Sequence, residues 1–153
     1  MFAISTKWDR RFMEMAKLIS TWSKDLDVQV GCVIVGPDRE VRTVGYNGLP
    51  RGVNDEVEYR FTRPGKDFWF EHAERNAIFN ASRMGVPLLG CTAYLNGGHG
   101  FPCAPCARAF VQCGIKTLVG LLPDMNNEKY AESYRNTMEM FQEAGLAFRS
   151  IRF

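Results

Sequence analysis

The chain has 153 residues, of which 46% are apolar and 24% are charged, the composition of a globular protein large enough for one well-packed core. Its formal charge is +2, with Lys and Arg interspersed along the sequence, and this balance argues against nucleic acid as a partner. We therefore expect a single domain over residues 1–153.

The amino terminus, MFAISTKWDRRF, lacks the apolar core of a signal peptide, and no apolar run in the sequence approaches the length of a membrane span. Five cysteines without a sign of secretion favour reduced thiols or a metal site over a disulfide framework. We predict a cytoplasmic protein with no membrane partner.

The first half of the chain predicts a helix followed by a hairpin and a long loop. Apolar residues recur at steps of three and four over residues 6–24, which is typical of an amphipathic helix. Val28–Gly36 is nearly all apolar and β-branched, as in a strand buried on both faces; PDRE then predicts a turn and VRTVGYN its hairpin partner. Residues 48–67, rich in Gly, Pro and charge, lack periodicity and predict a functional or disordered loop.

The second half alternates helices and strands. We predict helices over 71–84, 103–113 and 127–144, each followed by a glycine end signal, and strands at CTAYLN, IKTLVGLL and LAFRSIRF. The last helix should bury one face, which carries Tyr130, Tyr134, Thr137, Met138 and Phe141. The order α-β-β-α-β-α-β-α-β implies a three-layer α/β/α sandwich around one mixed sheet of five strands.

The stretch FWFEHAERNA uses one of only two histidines in the chain, and it does so at the start of a predicted helix. Positions i and i+2 do not share a helix face, so His72 must lie at or before the first turn if it acts together with Glu74. Glu74 falls on a face of small apolar residues, where burial raises a carboxyl pKa unless a cation compensates. Glu71 and Arg75 have the spacing of an ordinary surface pair.

The stretch FPCAPCARAF places Cys103 and Cys106 at the start of another predicted helix, where the helix dipole favours thiolates. A Cys-x-x-Cys pair at this location is typical of a dithiol redox centre or of two zinc ligands. Two structural cysteines are the third alternative. Cys32, Cys91 and Cys113 lie inside predicted strands or helices, and we interpret them as small buried hydrophobes.

Taken together, the two stretches favour zinc. His72, Cys103 and Cys106 form a Cys₂His set that leaves one position of a catalytic zinc open. His-x-Glu followed by Pro-Cys-x-x-Cys is the signature of zinc nucleobase deaminases, in which the Glu stays outside the coordination sphere. Zinc lowers the pKa of water from near 16 to about 7, and Glu74 would carry the proton of that water to the ring nitrogen and assist the departure of ammonia.

A third motif, GYNGLPRG, follows a predicted strand and has two readings. It is either a tight surface turn or a loop that brings Asn47 and nearby backbone toward a ligand, since glycine permits close backbone approach and Asn both donates and accepts hydrogen bonds.

The sequence resembles the deoxycytidylate (dCMP) deaminases of the cytidine deaminase superfamily. The similar segments are WSKDLDVQVGCVIV, GYNGLPRGVND, HAERNAI, PCAPCARAFVQCGIKTLV and EAGLAFRSIRF. The resemblance implies a five-stranded sheet flanked by helices and hydrolysis of dCMP to dUMP. By position it also implies zinc ligands at His72, Cys103 and Cys106, a proton shuttle at Glu74, a sugar contact from Asn47 and a pyrimidine contact from the backbone of Ala73.

The resemblance bears on regulation as well, because many members of this family are hexamers activated by dCTP and inhibited by dTTP. The segments SKDLDVQVG and GYNGLPRG match the regions implicated in effector binding. Regulation stays open on the sequence alone, and these segments favour it, with Mg²⁺ accompanying a nucleotide effector. We expect a homo-oligomer, with a hexamer favoured.

Two segments depart from the family pattern near the expected pocket mouth. YLNGGHGFPC is longer than usual and includes His99, which we interpret as a flexible loop residue, with substrate contact as the alternative. PDMNNEKY gives Tyr130 no role that can be transferred. The aromatic run 68–70 predicts core or interface, with a pocket wall as the alternative.

We therefore predict a zinc-dependent dCMP deaminase, and the alternatives are other substrates of the same chemistry: dCTP, a modified cytidylate, a nucleoside or a purine. A dithiol oxidoreductase and a binding module with structural zinc are the alternatives from other classes. The candidate phosphate partners, each of which also has an explanation as a surface charge, are Arg51, Arg63, Lys66 and Arg108.

Overall fold

The computed structural model describes residues 6–151, which form one mixed sheet with helices on both sides. The strands are β1 (Val30–Val35), β2 (Val41–Tyr46), β3 (Thr92–Gly97), β4 (Thr117–Gly120) and β5 (Ala147–Ser150). The helices are α1 (Thr6–Ser20), α2 (Gly65–Trp69), α3 (Ala73–Met84), α4 (Ala104–Cys113) and α5 (Glu128–Ala144), with a short 3₁₀ turn at Glu58–Phe61. The strand order is β2-β1-β3-β4-β5.

The sheet is mixed because the hairpin β1–β2 and the pair β1–β3 are antiparallel, whereas β3, β4 and β5 run parallel. Parallel neighbours need a crossover connection, which α4 and α5 supply in turn. The predicted α/β/α sandwich and its five strands are confirmed.

Alternate residues of β1 feed two separate cores, as the period of a strand requires. Val33 and Val35 pack under α1 on one face, whereas Cys32 and Ile34 join the residues of α3, α4 and α5 on the other. The prediction that β1 is buried on both faces is confirmed. Cys32 and Cys91 are fully buried as expected, and Cys113 is half-buried.

A short bridge joins the loop after β2 to Glu71, which lies two residues before α3. Gly48 N donates to Glu71 O at 3.1 Å and Glu71 N donates to Gly48 O at 2.8 Å. Helix α3 then packs so closely on β2 that a Cβ at Gly45 would lie 2.3 Å from Ala77 N. The loop after β2 and the start of α3 are thus held together.

Three sequence predictions differ from the structure. Helix α1 ends at Ser20 rather than at residue 24, and Trp22 stands in the following turn with its ring edge-on to Tyr46. Residues 48–67, which we predicted to be a loop, contain the 3₁₀ turn and the start of α2. On α5, Met138 is half exposed and Ala131 joins the buried face in its place.

The last predicted strand is observed as β5, and residues 152–153 of the prediction lie outside the described residues. Within residues 6–151, no helix combines the length and the apolar character that crossing a bilayer requires.

Candidate active site

His72 lies immediately before α3 and Cys103 immediately before α4, each with extended backbone. The φ and ψ angles are −79° and 154° at His72 and −68° and 165° at Cys103, while Cys106 lies in the first turn of α4. Because His72 precedes the helix, the helical periodicity of α3 does not fix the direction of its side chain. The sequence required His72 to lie at or before the first turn if it acts together with Glu74, and His72 does lie there.

The side chains of these residues converge on one point. His72 Nδ1 lies 3.4 Å from Cys103 Sγ and 3.3 Å from Cys106 Sγ, and all three donor atoms lie within 4.8 Å of one another. Among residues 6–151 no other group of three His, Cys, Asp or Glu side chains is this compact. Two thiols and one imidazole are the donor set of catalytic zinc sites with one position left for water, so the residues fit that metal.

The electrostatics of the cluster follow from this crowding. The hydrogen bond from Cys106, together with that of His72, lowers the pKa of the Cys103 thiol, and the hydrogen bond to Cys103 raises the pKa of His72 to about 9. The same Cys103 contact, with burial, raises the pKa of Cys106. His72, Cys103 and Cys106 thus share protons through these hydrogen bonds. A divalent cation that binds the three side chains would displace those protons.

Glu74 follows His72 by two residues in the first turn of α3, and it is only 5% exposed. Burial raises the pKa of Glu74 to about 7, and His72 partly opposes that shift. None of the ion pairs in the described part of the chain involves Glu74. A buried carboxyl group with a pKa near neutrality is suited to both accept and donate a proton.

A pocket of about 300 Å³ opens above the cluster. Of the residues predicted to form a site, His72, Ala73, Glu74, Cys103 and Asn47 line it. Cys106 is buried within the cluster itself. The structure therefore brings together all six predicted site residues around one cavity.

The side chain of Asn47 is held by three hydrogen bonds, one to the first residue of β1 and two to the segment before it. Its Oδ1 accepts from Val30 N at 2.9 Å, and its Nδ2 donates to Val28 O at 2.9 Å and to Asp25 Oδ2 at 3.3 Å. The amide therefore fixes the pocket wall, and its Oδ1 keeps a second lone pair for a ligand.

The four candidate phosphate partners lie in different places. Arg63 and Lys66 line the pocket, Arg51 lines a second concavity, and Arg108 is exposed on α4 away from both. Lys66 is paired with Asp25 at 2.5 Å, and the Asp25 side chain is only 1% exposed.

The sequence did not assign the two tyrosines of α5 to the pocket. Tyr130 and Tyr134 of α5 line it, with their rings stacked at 6.0 Å, and His99 lies 4.6 Å from the Tyr130 ring. Phe70 also lines the pocket, which was the alternative interpretation of the aromatic run. The helical spacing of Tyr130 and Tyr134 was visible in the sequence, but it indicated only burial on α5.

Residues 6–122 match the family model of the cytidine and deoxycytidylate deaminase zinc-binding region. The chain belongs to this family. The predicted membership is confirmed. The family is one of zinc-dependent hydrolases, which favours zinc over the dithiol interpretation of the Cys-x-x-Cys pair.

Similar proteins agree with this membership. The chain is 38% identical to the "Uncharacterized deaminase in luxG 3'region" of Aliivibrio fischeri, over 92% of this chain and 91% of the relative. It is 36% identical to the deoxycytidylate deaminase of Homo sapiens, over 94% of this chain and 79% of the relative.

The fold also has a close match among solved structures. The dCMP deaminase of cyanophage S-TIM5, crystallised in complex with dCMP and dUMP, superimposes with a TM-score of 0.77 at 20% identity, over 97% of this chain and 100% of that one. The cytidine deaminase-like fold predicted from the sequence is confirmed.

Proposed function

We propose that this deaminase converts dCMP to dUMP by zinc-dependent hydrolysis, with release of ammonia. The observation that carries the proposal is the buried Glu74 beside the His72, Cys103 and Cys106 cluster on the floor of one pocket. The choice of dCMP is supported by the human relative, which is named a deoxycytidylate deaminase, and by the cyanophage enzyme with dCMP and dUMP.

His72, Cys103 and Cys106 would hold the zinc ion. Zinc in such a site acts as a Lewis acid that makes water a usable nucleophile near neutral pH. Ala104 N, at the start of α4, already donates to Ser133 Oγ at 2.8 Å. Helix α3 begins at Ala73, which lines the cavity, and its first N–H groups have no partner within the helix. These groups are placed to stabilise negative charge that develops on the substrate.

Glu74 takes the proton of the attacking water and delivers it to the ring nitrogen next to the amine-bearing carbon. The same carboxyl group then assists the departure of ammonia. Its burial and its pKa of about 7 suit a group that must hold a proton for part of the cycle and release it for the rest.

Two contacts would orient the substrate. The backbone of Ala73, in the first turn of α3, faces the pyrimidine, and Asn47 contacts the sugar through the free lone pair of its fixed amide. We propose that residues 1–153 act as one deaminase domain, because the elements that supply these groups run from the segment before β1 to α5.

The test is ammonia release by the zinc-loaded protein across dCMP, dCTP, CMP, deoxycytidine and 5-methyl-dCMP. We expect the highest kcat/KM for dCMP. Activity confined to another member of the panel would replace dCMP with that substrate and keep the chemistry. No release from any of them would overturn a cytidine-type substrate and turn the search to purines.

We also propose regulation by dCTP and dTTP. A second concavity of about 230 Å³ lies beside the pocket, and Asn47 and Phe70 line both. Most of the segment GYNGLPRG lines it, together with Lys24 of the segment SKDLDVQVG, and its cations are Lys24 and Arg51. Mg²⁺ would accompany a bound triphosphate. Adding dCTP or dTTP to the assay at subsaturating dCMP should change the rate in opposite directions, and no change with either would refute regulation.

We also propose a homo-oligomeric assembly and a cytoplasmic location. Several large apolar side chains are exposed, among them Leu26, Phe68 and Met84, which supports a homo-oligomer, with a hexamer favoured by the family. The five cysteines are all free, which suits the reducing cytoplasm. Light scattering after gel filtration would measure the oligomer directly, and a monomeric mass would contradict it.

A further inference from the structure

The two segments in which the sequence departs from the family pattern each contribute to the pocket mouth, His99 from the first and Tyr130 from the second. The Tyr130 ring lies 4.6 Å from the His99 ring, centroid to centroid. Its hydroxyl lies 3.4 Å from Nη2 of Arg63, which comes from the segment before α2. Three separate parts of the chain therefore meet at this one residue.

His99 lies in a hydrogen-bonded turn rather than in the flexible loop that we predicted. Gly100 N donates to Gly97 O at 2.9 Å, and Gly97, Gly98 and Gly100 all have positive φ. A Cβ at Gly97 would lie 2.2 Å from Gln29 O, so only glycine fits there. The backbone of this turn directs His99 to the pocket, which it lines.

Exposure increases steadily from the floor of the pocket to its mouth. Glu74 and Tyr134 are buried, Tyr130 is half-buried, and His99 is exposed, as is Arg63, whose side chain is 48% accessible. A nucleotide has one uncharged aromatic end and one charged end. Its base fits the buried floor beside Glu74, which leaves the charged end at the rim, where it keeps contact with water.

The cations of the pocket are not equally available to an anion at this rim. Lys66 is committed to the buried Asp25. Arg63 is paired with Asp67 in an exposed i, i+4 contact, which is a weak kind of pair. A guanidinium carries five N–H donors, and the contacts with Asp67 and Tyr130 use two of them. Arg63 is therefore the cation that can still bind a phosphate, in the forked geometry that arginine favours.

We propose that Arg63 and His99, both in contact with Tyr130, form the subsite that binds the 5′-phosphate and select a nucleoside monophosphate over the free nucleoside. The imidazole of His99 donates a hydrogen bond in either protonation state, and the Tyr130 hydroxyl adds a third donor. This inference rests on the proposed function for the identity of the nucleotide, but the binding it describes does not depend on turnover.

The test is calorimetric titration of the zinc-loaded protein with dUMP and with 2′-deoxyuridine, which differ only in the phosphate. We expect Arg63→Met, which keeps the aliphatic stem, to weaken dUMP binding about tenfold or more, the value of one charge-assisted hydrogen bond. His99→Phe keeps the ring against Tyr130 and removes the N–H donor, and should weaken dUMP binding about fivefold. Neither variant should change the affinity for deoxyuridine.

Arg108→Met is the matched control, because Arg108 is exposed on α4 outside the pocket, and it should bind both ligands like the wild type. Unchanged dUMP affinity in Arg63→Met and His99→Phe, or equal losses for both ligands, would overturn the subsite and leave the proposed function standing. Wild-type protein that binds dUMP in this phosphate-dependent way but releases no ammonia from dCMP would retain the subsite and reject the proposed function. Wild-type protein that binds dUMP no more tightly than deoxyuridine would overturn the subsite, and ammonia release from dCMP would then decide the proposed function separately.

Discussion

Two buried carboxyl groups occupy equivalent positions on opposite faces of the sheet. Asp9 lies in the first turn of α1 and is 4% exposed, and Glu74 lies in the first turn of α3 and is 5% exposed. Asp9 is fully engaged by the protein: it accepts from the Tyr94 hydroxyl at 2.8 Å and from two nitrogens of Arg149 at 2.9–3.2 Å. Glu74 has no such cation and faces a cavity.

Asp9 and Glu74 are equally buried, but their partners distinguish a carboxylate with a structural role from one available for catalysis. Removing a carboxyl group from water is costly unless cations and hydrogen bonds replace the water. At Asp9 these replacements come from β3 and β5, so the group ties α1 to the sheet. At Glu74 the neighbours are the His72 and Cys103 side chains, which we propose as metal ligands, so the Glu74 carboxyl group remains available to a substrate.

The sharpest test of this contrast is Glu74→Gln, which preserves shape and removes the proton carrier. We expect turnover of dCMP to fall roughly 10²–10⁴-fold, the usual contribution of a general acid–base group. Zinc content and the midpoint of urea unfolding should stay close to those of the wild type. Steady-state ammonia release, metal analysis and urea titration measure the three quantities.

Glu139→Gln on the exposed side of α5 controls for the loss of one carboxylate and should be fully active. Retention of wild-type turnover in Glu74→Gln would remove the proton-transfer role of this residue, whatever its zinc content.

The reverse result is expected for Asp9→Ala. This change leaves the Arg149 guanidinium and the Tyr94 hydroxyl without their partner, and we expect a loss of about 3 kcal/mol in the free energy of unfolding, at the low end for a buried pair because Arg149 is partly exposed. Turnover per folded molecule should be unchanged. Urea unfolding of Asp9→Ala, Arg149→Met and the double variant gives the coupling energy. A loss in Asp9→Ala below about 1 kcal/mol would mean that water replaces Arg149 as the partner.

The sequence predicted the surroundings of Glu74 better than those of Asp9. His72, Glu74, Cys103 and Cys106 belong to short local motifs, and the rule that i and i+2 occupy different helix faces was enough to place His72 before α3. Asp9 is different, because its partners Tyr94 and Arg149 are 85 and 140 residues away. No local pattern shows such a contact.

The same reason explains what was missed at the pocket mouth. The turn that directs His99 depends on the packing of Gly97 against Gln29, and Tyr130 becomes a pocket residue only through the orientation of α5. The short helices within residues 58–69 have too few turns to show periodicity. Tertiary contacts accompany them instead, such as Arg60 stacked 3.8 Å above the Trp69 ring.

A pair of glycine substitutions strains the two faces of the sheet in the same way, and it tests whether only the face that carries α3 affects activity. A Cβ at Gly45 would lie 2.3 Å from Ala77 N in α3, and a Cβ at Gly31 would lie 2.0 Å from Ala16 O in α1. Each change to Ala should cost about 2 kcal/mol of stability through overpacking. Gly45→Ala should also lower kcat/KM for dCMP about tenfold, because it displaces the helix that carries Glu74.

Gly31→Ala displaces α1, which carries none of the proposed catalytic groups, so its kcat/KM should stay within about twofold of the wild type when measured well below the unfolding midpoint. Equal losses of activity in the two variants would show that strain on either face reaches the active site.

The smallest effect expected is that of Tyr94→Phe, which removes one hydrogen bond to Asp9 and should cost about 1 kcal/mol at neutral pH. Its pH dependence is more informative. Burial, with the hydrogen bond to Asp9, raises the pKa of Tyr94 in the folded protein, whereas an unfolded tyrosine ionises at a pKa of about 10. The folded state therefore keeps a proton that the unfolded state releases, and stability that is complete below pH 10 falls as the pH rises above it.

Urea unfolding of wild type and Tyr94→Phe at pH 8, 9, 10 and 11 measures the contribution of this one group, since every other alkaline titration is common to both proteins. The wild-type free energy of unfolding should fall more steeply above pH 10, by up to about 1.4 kcal/mol per pH unit. The two curves should thus approach each other in alkali. Parallel curves would mean that Tyr94 ionises alike in the folded and unfolded chains, and that the hydroxyl of Tyr94, unlike the carboxylate of Asp9, is not held by the α1 face.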